Sequence, residues 1–99
     1  MNLAADFGTI LADGAVALAF RQRAIDPHVE LCEEIVLDFS GVRTGNSSFV
    51  NGLVAALVEQ HGAAVLRKVV FKGCNPVLKV LVESAIDLGL QKIDGRVDA

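Results

Sequence analysis

Cysteine is scarce in this chain of 99 residues. Cys32 and Cys74 are its two thiols, they lie far apart in the sequence, and they form no Cys-x-x-Cys pair. Two isolated thiols argue against both a disulfide framework and a zinc site. We therefore expect reduced cysteines, no bound metal and no cofactor.

Long apolar runs and clusters of positive charge are also missing. Charged residues interrupt each apolar stretch before it reaches the length of a membrane span, and the first residues lack the layout of a secretory signal. Nine scattered basic residues against twelve acidic ones leave a net charge of −3. These absences argue against membrane insertion and nucleic-acid binding. We expect one cytoplasmic domain over residues 1–99, with residues 91–99 as a frayed tail.

A strand, a helix and a second strand follow one another in the middle of the chain. The stretches EIVLDF (34–39) and KVVFKGC (68–74) are rich in β-branched and aromatic residues, as is typical of strands covered on both faces. Between them, residues 47–61 carry apolar side chains at the spacing of one helical face, and Gly62 can end that helix. This pattern predicts a β-α-β unit with parallel strands and a right-handed crossover.

Further elements are expected on both sides of this unit. Asp13 can cap a helix that ends near Asp26, because Pro27 disfavours helical geometry in the residue before it. The stretch DFGTIL (6–11) is expected to form a short edge strand. Asn75 can cap a last helix that runs to about Leu88. We expect an α/β fold, a small sandwich with a short, mostly parallel sheet and about three helices.

The stretch GNSSFVNGL (45–53) marks the turn from the first strand into the central helix. In open α/β sheets, functional residues gather at the carboxyl ends of strands. Serine and asparagine are also favoured at helix N-caps and in turns, so capping is one interpretation of these residues. The alternative is a covalent switch on a serine. A phosphate there would meet the positive end of the helix dipole, and Arg43 is a candidate guanidinium partner.

The residues VLDFSGV (36–42), SSF (47–49) and KGCNPVLKVLVESAI (72–86) resemble those of STAS-like domains, which are related to the anti-sigma-factor antagonists. In the antagonists, the corresponding turn reads Asp-Ser-Ser-Gly, and its first serine is phosphorylated by a partner kinase that is also the anti-sigma factor. The resemblance implies that Ser47 is the phosphoacceptor and Ser48 the second serine. Asn46 takes the place of the aspartate, and Phe49 that of the glycine.

The resemblance implies a non-enzymatic regulatory module that binds a protein partner, with a histidine-kinase-like ATPase as the candidate. Docking is expected through the turn and the adjoining helix face. The expected contact residues are Arg43, Asn46, Phe49, Asn51 and Gln60. One alternative is a self-associating domain, because 53% of the residues are hydrophobic. The other is a thiol enzyme or redox sensor at Cys74, where a nearby helix N-terminus could lower the thiol pKa.

Two ionisable residues have structural interpretations. Asp38, within an apolar strand, is expected to accept hydrogen bonds from backbone N–H groups of the following turn, around residues 41–44. His61, next to Gly62, is expected to interact with the C-terminal end of the helix dipole.

Overall fold

The computed structural model describes residues 1–31 and 33–97, so Cys32 lies outside the described residues. Within this range the fold is α/β, as expected, with helices and short parallel strands. The elements in chain order are α1 (Leu3–Phe7), β1 (Ile10–Leu11), α2 (Gly14–Phe20), a π-helical segment (Arg21–Ile25), α3 (Asp26–Glu30), β2 (Ile35–Asp38), β3 (Thr44–Gly45), α4 (Ser47–Val50), a second π-helical segment (Asn51–Ala55), α5 (Ala56–His61), a 3₁₀ helix (Ala63–Arg67), β4 (Val69–Lys72) and α6 (Pro76–Val97).

Three long helical units make up one layer of the fold. Residues 14–30 form one helical stretch, called here the N-terminal helix, and residues 47–61 form another, the central helix. The N-terminal helix and the central helix each contain one π-helical segment, and α6 is the third unit. The central helix packs between the N-terminal helix and α6, so it lies in the middle of the helical layer.

The predicted helix ends have local causes, which the structure confirms. The Asp13 carboxylate accepts hydrogen bonds from the N–H groups of Ala15 (2.9 Å) and Val16 (3.3 Å). Asn75 Oδ1 accepts a bond from the Leu78 N–H (2.9 Å) at the start of α6. Gly62 ends the central helix at φ +84°, a conformation that glycine adopts without steric cost.

The N-terminal helix continues past Pro27, so the prediction that it ends near Asp26 is wrong. Proline removes a backbone donor and its ring crowds the carbonyl four residues earlier. Here a wider π-helical turn precedes it, in which the Asp26 N–H bonds to the Arg21 carbonyl, five residues back. We attribute the tolerance of Pro27 to this wider turn. The helix ends at Glu30 instead.

The strands pair in parallel, as predicted for the β-α-β unit. β2 and β4 pair over their whole length, with Ile35 opposite Val69 and Asp38 opposite Lys72. β1 and β3 form a second parallel pair. An isolated parallel bridge joins Asn2 to β2 at Asp38.

Only one face of the β2–β4 pair is well covered, which corrects the expectation that both faces are buried. Ile35, Leu37 and Val69 are buried on the inner face. On the outer face Val36 is half-buried, and Val70 is 43% exposed. Helices therefore pack on one side of these two strands.

Two further boundaries differ from the expected ones. Residues 6–11 contain the end of α1 and the two-residue strand β1, so Asp6 and Phe7 are helical. The last helix does not end near Leu88 but extends to Val97, and thus includes part of the segment expected to be a frayed tail. Residues 98 and 99 lie outside the described residues.

The core is apolar and lies largely between the helices and the inner face of the strands. Its largest fully buried side chains are Phe39, Phe49, Leu3, Leu11, Ile25, Leu37, Leu53, Leu57, Leu78, Val50, Val54 and Val58. Glycines let the helices approach closely at two places. A Cβ on Gly52 would lie 2.9 Å from the Gly14 carbonyl oxygen, and one on Gly89 would lie 2.8 Å from that of Ala55.

Candidate functional site

The turn from β3 into the central helix is built around Asn46. Its backbone is extended (φ −100°, ψ 164°), and the helix begins at the next residue, Ser47. The Asn46 Oδ1 accepts a hydrogen bond from the Phe49 N–H at 2.9 Å, while its Nδ2 donates one to the Ala12 carbonyl at 2.6 Å. One side chain therefore caps the central helix and ties the turn to the segment that precedes α2. The N-cap is Asn46, and both serines lie inside the first helical turn.

Ser47 and Ser48 are both exposed at the rim of the fold, but their surroundings differ. Ser48 lies against Gly14, where a Cβ would clash with the serine Oγ and lie 2.9 Å from the serine carbonyl oxygen. An added group on Ser48 would therefore crowd the start of α2.

An apolar groove of about 230 Å³ lies beside this turn. Phe49 lines it, and the Phe7 ring meets the Phe49 ring edge to face at 5.3 Å between centroids. Ile10, which is 60% exposed, and Val16 contribute further apolar surface. The complete lining is Phe7, Ile10, Ala12, Asp13, Val16 and Phe49. The turn and the groove together are called the serine rim below.

The predicted contact residues do not form one surface. Arg43 and Asn46 are exposed in or next to the turn, and Asn51 is half-buried one helical turn further on. Phe49 is 1% exposed, so it belongs to the core and contributes only part of the groove wall. Gln60 lies thirteen residues after Ser47, about 20 Å along the helix axis. It lies near the opposite end of the central helix, away from the turn.

Asp38 accepts a backbone hydrogen bond, as predicted, though from an earlier residue of the following turn than expected. The Ser40 N–H donates to its Oδ1 at 2.9 Å. The pKa of Asp38 is lowered, first by side-chain and backbone hydrogen bonds from Ser40, and also by the Lys72 charge. The carboxylate thus organises the turn that follows β2.

Cys74 does not have the environment of an activated thiol. It is half-buried, and burial raises its pKa above the ordinary value. The expected effect of the helix N-terminus was the opposite, a lowered pKa. A raised pKa decreases the thiolate fraction at neutral pH, so this site gives no support to a thiol enzyme or sensor.

A buried polar cluster was missed by sequence reasoning. Arg21, 3% exposed, donates from Nη1 to both carboxylate oxygens of Asp26, at 3.1 and 2.9 Å. His61 Nε2 lies 2.9 Å from Asp26 Oδ1, which we interpret as N–H donation to the carboxylate. Gln60 accepts a longer bond from Arg21, at 3.4 Å. His61 and Gln60 therefore take part in a cross-helix network, and their expected roles, at the helix dipole and as a partner contact, stay predictions.

The signal for this cluster in the sequence is weak. Arg21 and Asp26 are five residues apart, a spacing that does not place two side chains together on a regular α-helix. The π-helical segment between them changes the helical phase and brings them together. Sequence patterning at the usual α-helical spacings therefore does not reveal the pair.

The residues that the structure describes contain neither a metal-binding cluster nor a membrane-spanning helix. Over residues 1–31 and 33–97, no group of three or more histidine, cysteine, aspartate or glutamate side chains is placed to hold a metal ion. Over the same residues, none of the helices combines the length and hydropathy needed to cross a membrane.

Comparison with known proteins gives one match. A family model described as a STAS-like domain of unknown function (DUF4325) matches residues 19–79, which is well over half of the chain. The match includes the strand-to-helix turn, most of the N-terminal helix and all of the central helix. No curated protein and no solved structure is significantly similar to the chain.

Proposed function

The chain belongs to the family of STAS-like domains of unknown function, and from that premise we propose that it is a non-enzymatic regulatory module whose serine rim binds a protein partner. The observation that carries this proposal is the position of Ser47. Its side chain is exposed at the first residue of a helix whose third residue, Phe49, lines an apolar groove of about 230 Å³. A partner that inserts an apolar side chain into the groove would cover the hydroxyl.

We propose that phosphorylation of Ser47 switches this contact. A histidine-kinase-like ATPase would transfer the γ-phosphoryl group of ATP to the Ser47 Oγ. A P–O bond to the serine forms as the bond to ADP breaks, and the hydroxyl proton is lost. The phosphate adds about −1.5 to −2 charges at neutral pH, and burying it against an apolar partner costs desolvation energy. The unmodified rim binds and the phosphorylated rim does not. Because the switch consumes ATP, we place the protein in the cytoplasm.

The surroundings favour Ser47 over Ser48 as the acceptor. Ser48 is crowded by Gly14, as described above. The Arg43 side chain is exposed and forms no ion pair within residues 1–31 and 33–97, so its guanidinium can turn toward a phosphate near the turn. Such a contact would hold the phosphate at the rim and leave the helix intact.

Binding to a recombinant histidine-kinase-like ATPase from the same organism tests the proposal. Titration calorimetry would compare the unmodified protein with Ser47→Ala, Ser47→Asp and Ser48→Ala. We expect Ser47→Ala and Ser48→Ala to bind as the unmodified protein does, and Ser47→Asp to bind about tenfold more weakly. Equal affinity of Ser47→Asp and Ser47→Ala would contradict the switch. Absence of binding by the unmodified protein would contradict this choice of partner.

The phosphorylation step needs its own measurement. After incubation with the ATPase and ATP, peptide mass spectrometry should find the added phosphate on Ser47, and the Ser47→Ala protein should remain unmodified. Modification confined to Ser48 would overturn the assignment of the acceptor.

Self-association is a second candidate, favoured by one observation. Val77 and Val80, 54% and 61% exposed, lie one turn apart on α6. Exposed apolar side chains at this spacing form a surface that a second copy can cover. Sedimentation equilibrium should then show a dimer that Val80→Glu dissociates. A monomer at all accessible concentrations would eliminate this candidate.

A further inference from the structure

β4 has one edge without a partner strand among the residues that the structure describes. In the parallel β2–β4 pair, the Ile35 N–H bonds to the Lys68 carbonyl and the Phe39 N–H to the Lys72 carbonyl, both at 2.7 Å. The backbone groups of the even-numbered residues of β4 therefore point toward β2, and those of Val69 and Phe71 point away from it. Over residues 1–31 and 33–97, no strand pairs with β4 on that side. Val69 is buried and Phe71 is half-buried, so Phe71 is the more accessible of the two.

A groove of about 360 Å³ runs between this edge and α6. The Phe71 side chain lines it from the strand, and Val82 and Ile86, one turn apart on α6, line it from the helix. Cys74 also borders the groove. A strand added beside β4 would direct every second side chain to the same face as Phe71. These side chains would enter the groove and should therefore be apolar.

The outer face of the same edge is basic. Val70 is exposed between two exposed lysines. Lys68 lies one residue before the strand, and Lys72 is the last residue of the strand. Arg67 and Lys79 are exposed nearby, and Lys79 lines the groove. The acidic residues near this edge are Glu83 in the groove lining, Asp38 opposite Lys72, and exposed Glu34, which precedes β2 on the side of Lys68. Although the whole chain is acidic, this edge carries four of its nine basic residues.

The lysines also decide against a second copy as the occupant. If β4 paired with itself in antiparallel orientation around Val70, Lys68 of each copy would lie opposite Lys72 of the other. Like charges directly opposite each other destabilise a strand pair. Lysines at sheet edges oppose pairing with a like edge, and the same charges attract an acidic strand.

We propose that the free edge of β4 binds an extended segment of a partner protein in which acidic and apolar residues alternate. The segment adds a strand through the backbone of Phe71, places its apolar side chains against Phe71, Val82 and Ile86, and directs its acidic side chains toward Lys68 and Lys72. This surface lies outside the serine rim and does not depend on Ser47.

A synthetic peptide of alternating glutamate and valine, seven residues long and blocked at both ends, is the probe. Amide hydrogen exchange followed by NMR should show the Phe71 N–H slowed by about tenfold at millimolar peptide, while the Val70 N–H, which points toward β2, changes little. A peptide N-methylated on alternate residues, which cannot pair along its backbone, should lose this protection. A lysine–valine peptide should bind more weakly than the glutamate–valine peptide.

Charge reversal on the protein provides the matched comparison. We expect Lys68→Glu to weaken peptide binding by about tenfold. Arg23→Glu, the same change at an exposed position of the N-terminal helix, should bind like the unmodified protein. Ser47→Asp should also bind normally, which separates this proposal from that for the serine rim.

Three results would overturn the proposal. The first is unchanged exchange of the Phe71 amide at millimolar peptide. The second is equal binding of the N-methylated peptide, because the groove would then take apolar groups without strand pairing. The third is protection of Phe71 that rises with protein concentration alone, because a second copy would then be the occupant.

Discussion

Asn46 shows how one side chain can hold two parts of the backbone. Its oxygen caps the central helix and its nitrogen binds the carbonyl of Ala12. An aspartate would supply the capping oxygen but would have no N–H donor for the Ala12 carbonyl. Asn75 has the same arrangement at α6, where Oδ1 caps the helix and Nδ2 donates to the Arg43 carbonyl at 2.9 Å. Many polar residues can cap a helix. At these two positions an amide is needed, because the second carbonyl requires an N–H donor as well.

Substitution of Asn46 should separate its two roles. Asn46→Asp keeps a capping oxygen and loses the bond to Ala12, so we expect a loss of about 1 kcal/mol in the free energy of unfolding. Asn46→Ala loses the cap as well and should lose about 1 kcal/mol more. Urea denaturation measures both. If Asn46→Asp were as stable as the unmodified protein, the bond to Ala12 would not matter for stability.

The lowered pKa of Asp38 predicts a pH dependence of stability. Because the folded state holds this pKa below the ordinary value of 3.8, the charged carboxylate stabilises the fold above that pH. This contribution is lost as the pH falls below 3.8 and through the folded-state pKa. We therefore expect Asp38→Asn to be less stable than the unmodified protein at neutral pH, with the difference shrinking under acid. Urea unfolding at a series of pH values tests this. A difference that is the same at every pH would rule out the ionised carboxylate as its source.

Helix ends that are set by a nearby capping residue could be predicted from the sequence. Features that depend on a change of helical phase could not. Caps such as Asp13 and Asn75 lie within a few residues of the groups they bind, so their chemistry is visible in the sequence. The two π-helical segments have no comparable signal. The extension of the N-terminal helix past Pro27 and the pairing of Arg21 with Asp26 were therefore missed.

Gly89 provides a test of how closely two helices approach. A Cβ there would lie 2.8 Å from both the Ala55 carbonyl oxygen and the Val58 Cβ, so α6 or the central helix would have to shift. Overpacking of this kind costs about 1–3 kcal/mol, whereas replacing glycine by alanine in a helix gains about 1 kcal/mol. We expect Gly89→Ala to be destabilised by about 1 kcal/mol in thermal or urea unfolding. Ser84→Ala, at an exposed position of α6, should change little. A more stable Gly89→Ala protein would show that the contact is loose.

At the scale of the whole molecule, the Arg21–Asp26–His61 network joins the N-terminal helix to the central helix. Asp26→Ala would leave the 3%-exposed Arg21 charge without its carboxylate, and breaking such a buried pair costs about 3–5 kcal/mol. We expect urea denaturation to show a loss of this size in the free energy of unfolding. Asp87→Asn, at an exposed position of α6, should change that free energy little.

A double variant distinguishes charge from packing in this network. Arg21→Met with Asp26→Leu removes both charges and keeps much of the volume, so it should recover most of the stability lost in Asp26→Ala. If the double variant were as unstable as Asp26→Ala, the network would contribute through its shape and its bonds to His61 and Gln60. The ion pair would then be of secondary importance.

The serine rim was predicted only in part, because its components come from distant parts of the chain. The exposed serines follow from the predicted helix start, although the strand directly before it, β3, was not predicted. The groove beside them depends on Phe7, Ile10 and Val16, which lie more than thirty residues earlier. Residue spacing alone does not reveal which segments share a surface. The groove between β4 and α6 also combines side chains of two elements, although these two follow one another in the chain.

The π-helical segment at Asn51–Ala55 determines the angular position of everything that follows it in the central helix. A π turn accommodates about one extra residue within a helix, and each residue of an α-helix rotates the chain by about 100°. Because the wide turn takes up that extra residue, a one-residue deletion that restored regular α-helix here would keep Asn46 and His61 in nearly the same relative orientation. A one-residue difference in this segment between relatives would thus preserve both the serine rim and the buried network, whereas a deletion in the regular α-helix before His61 would rotate His61 by about 100° away from Asp26.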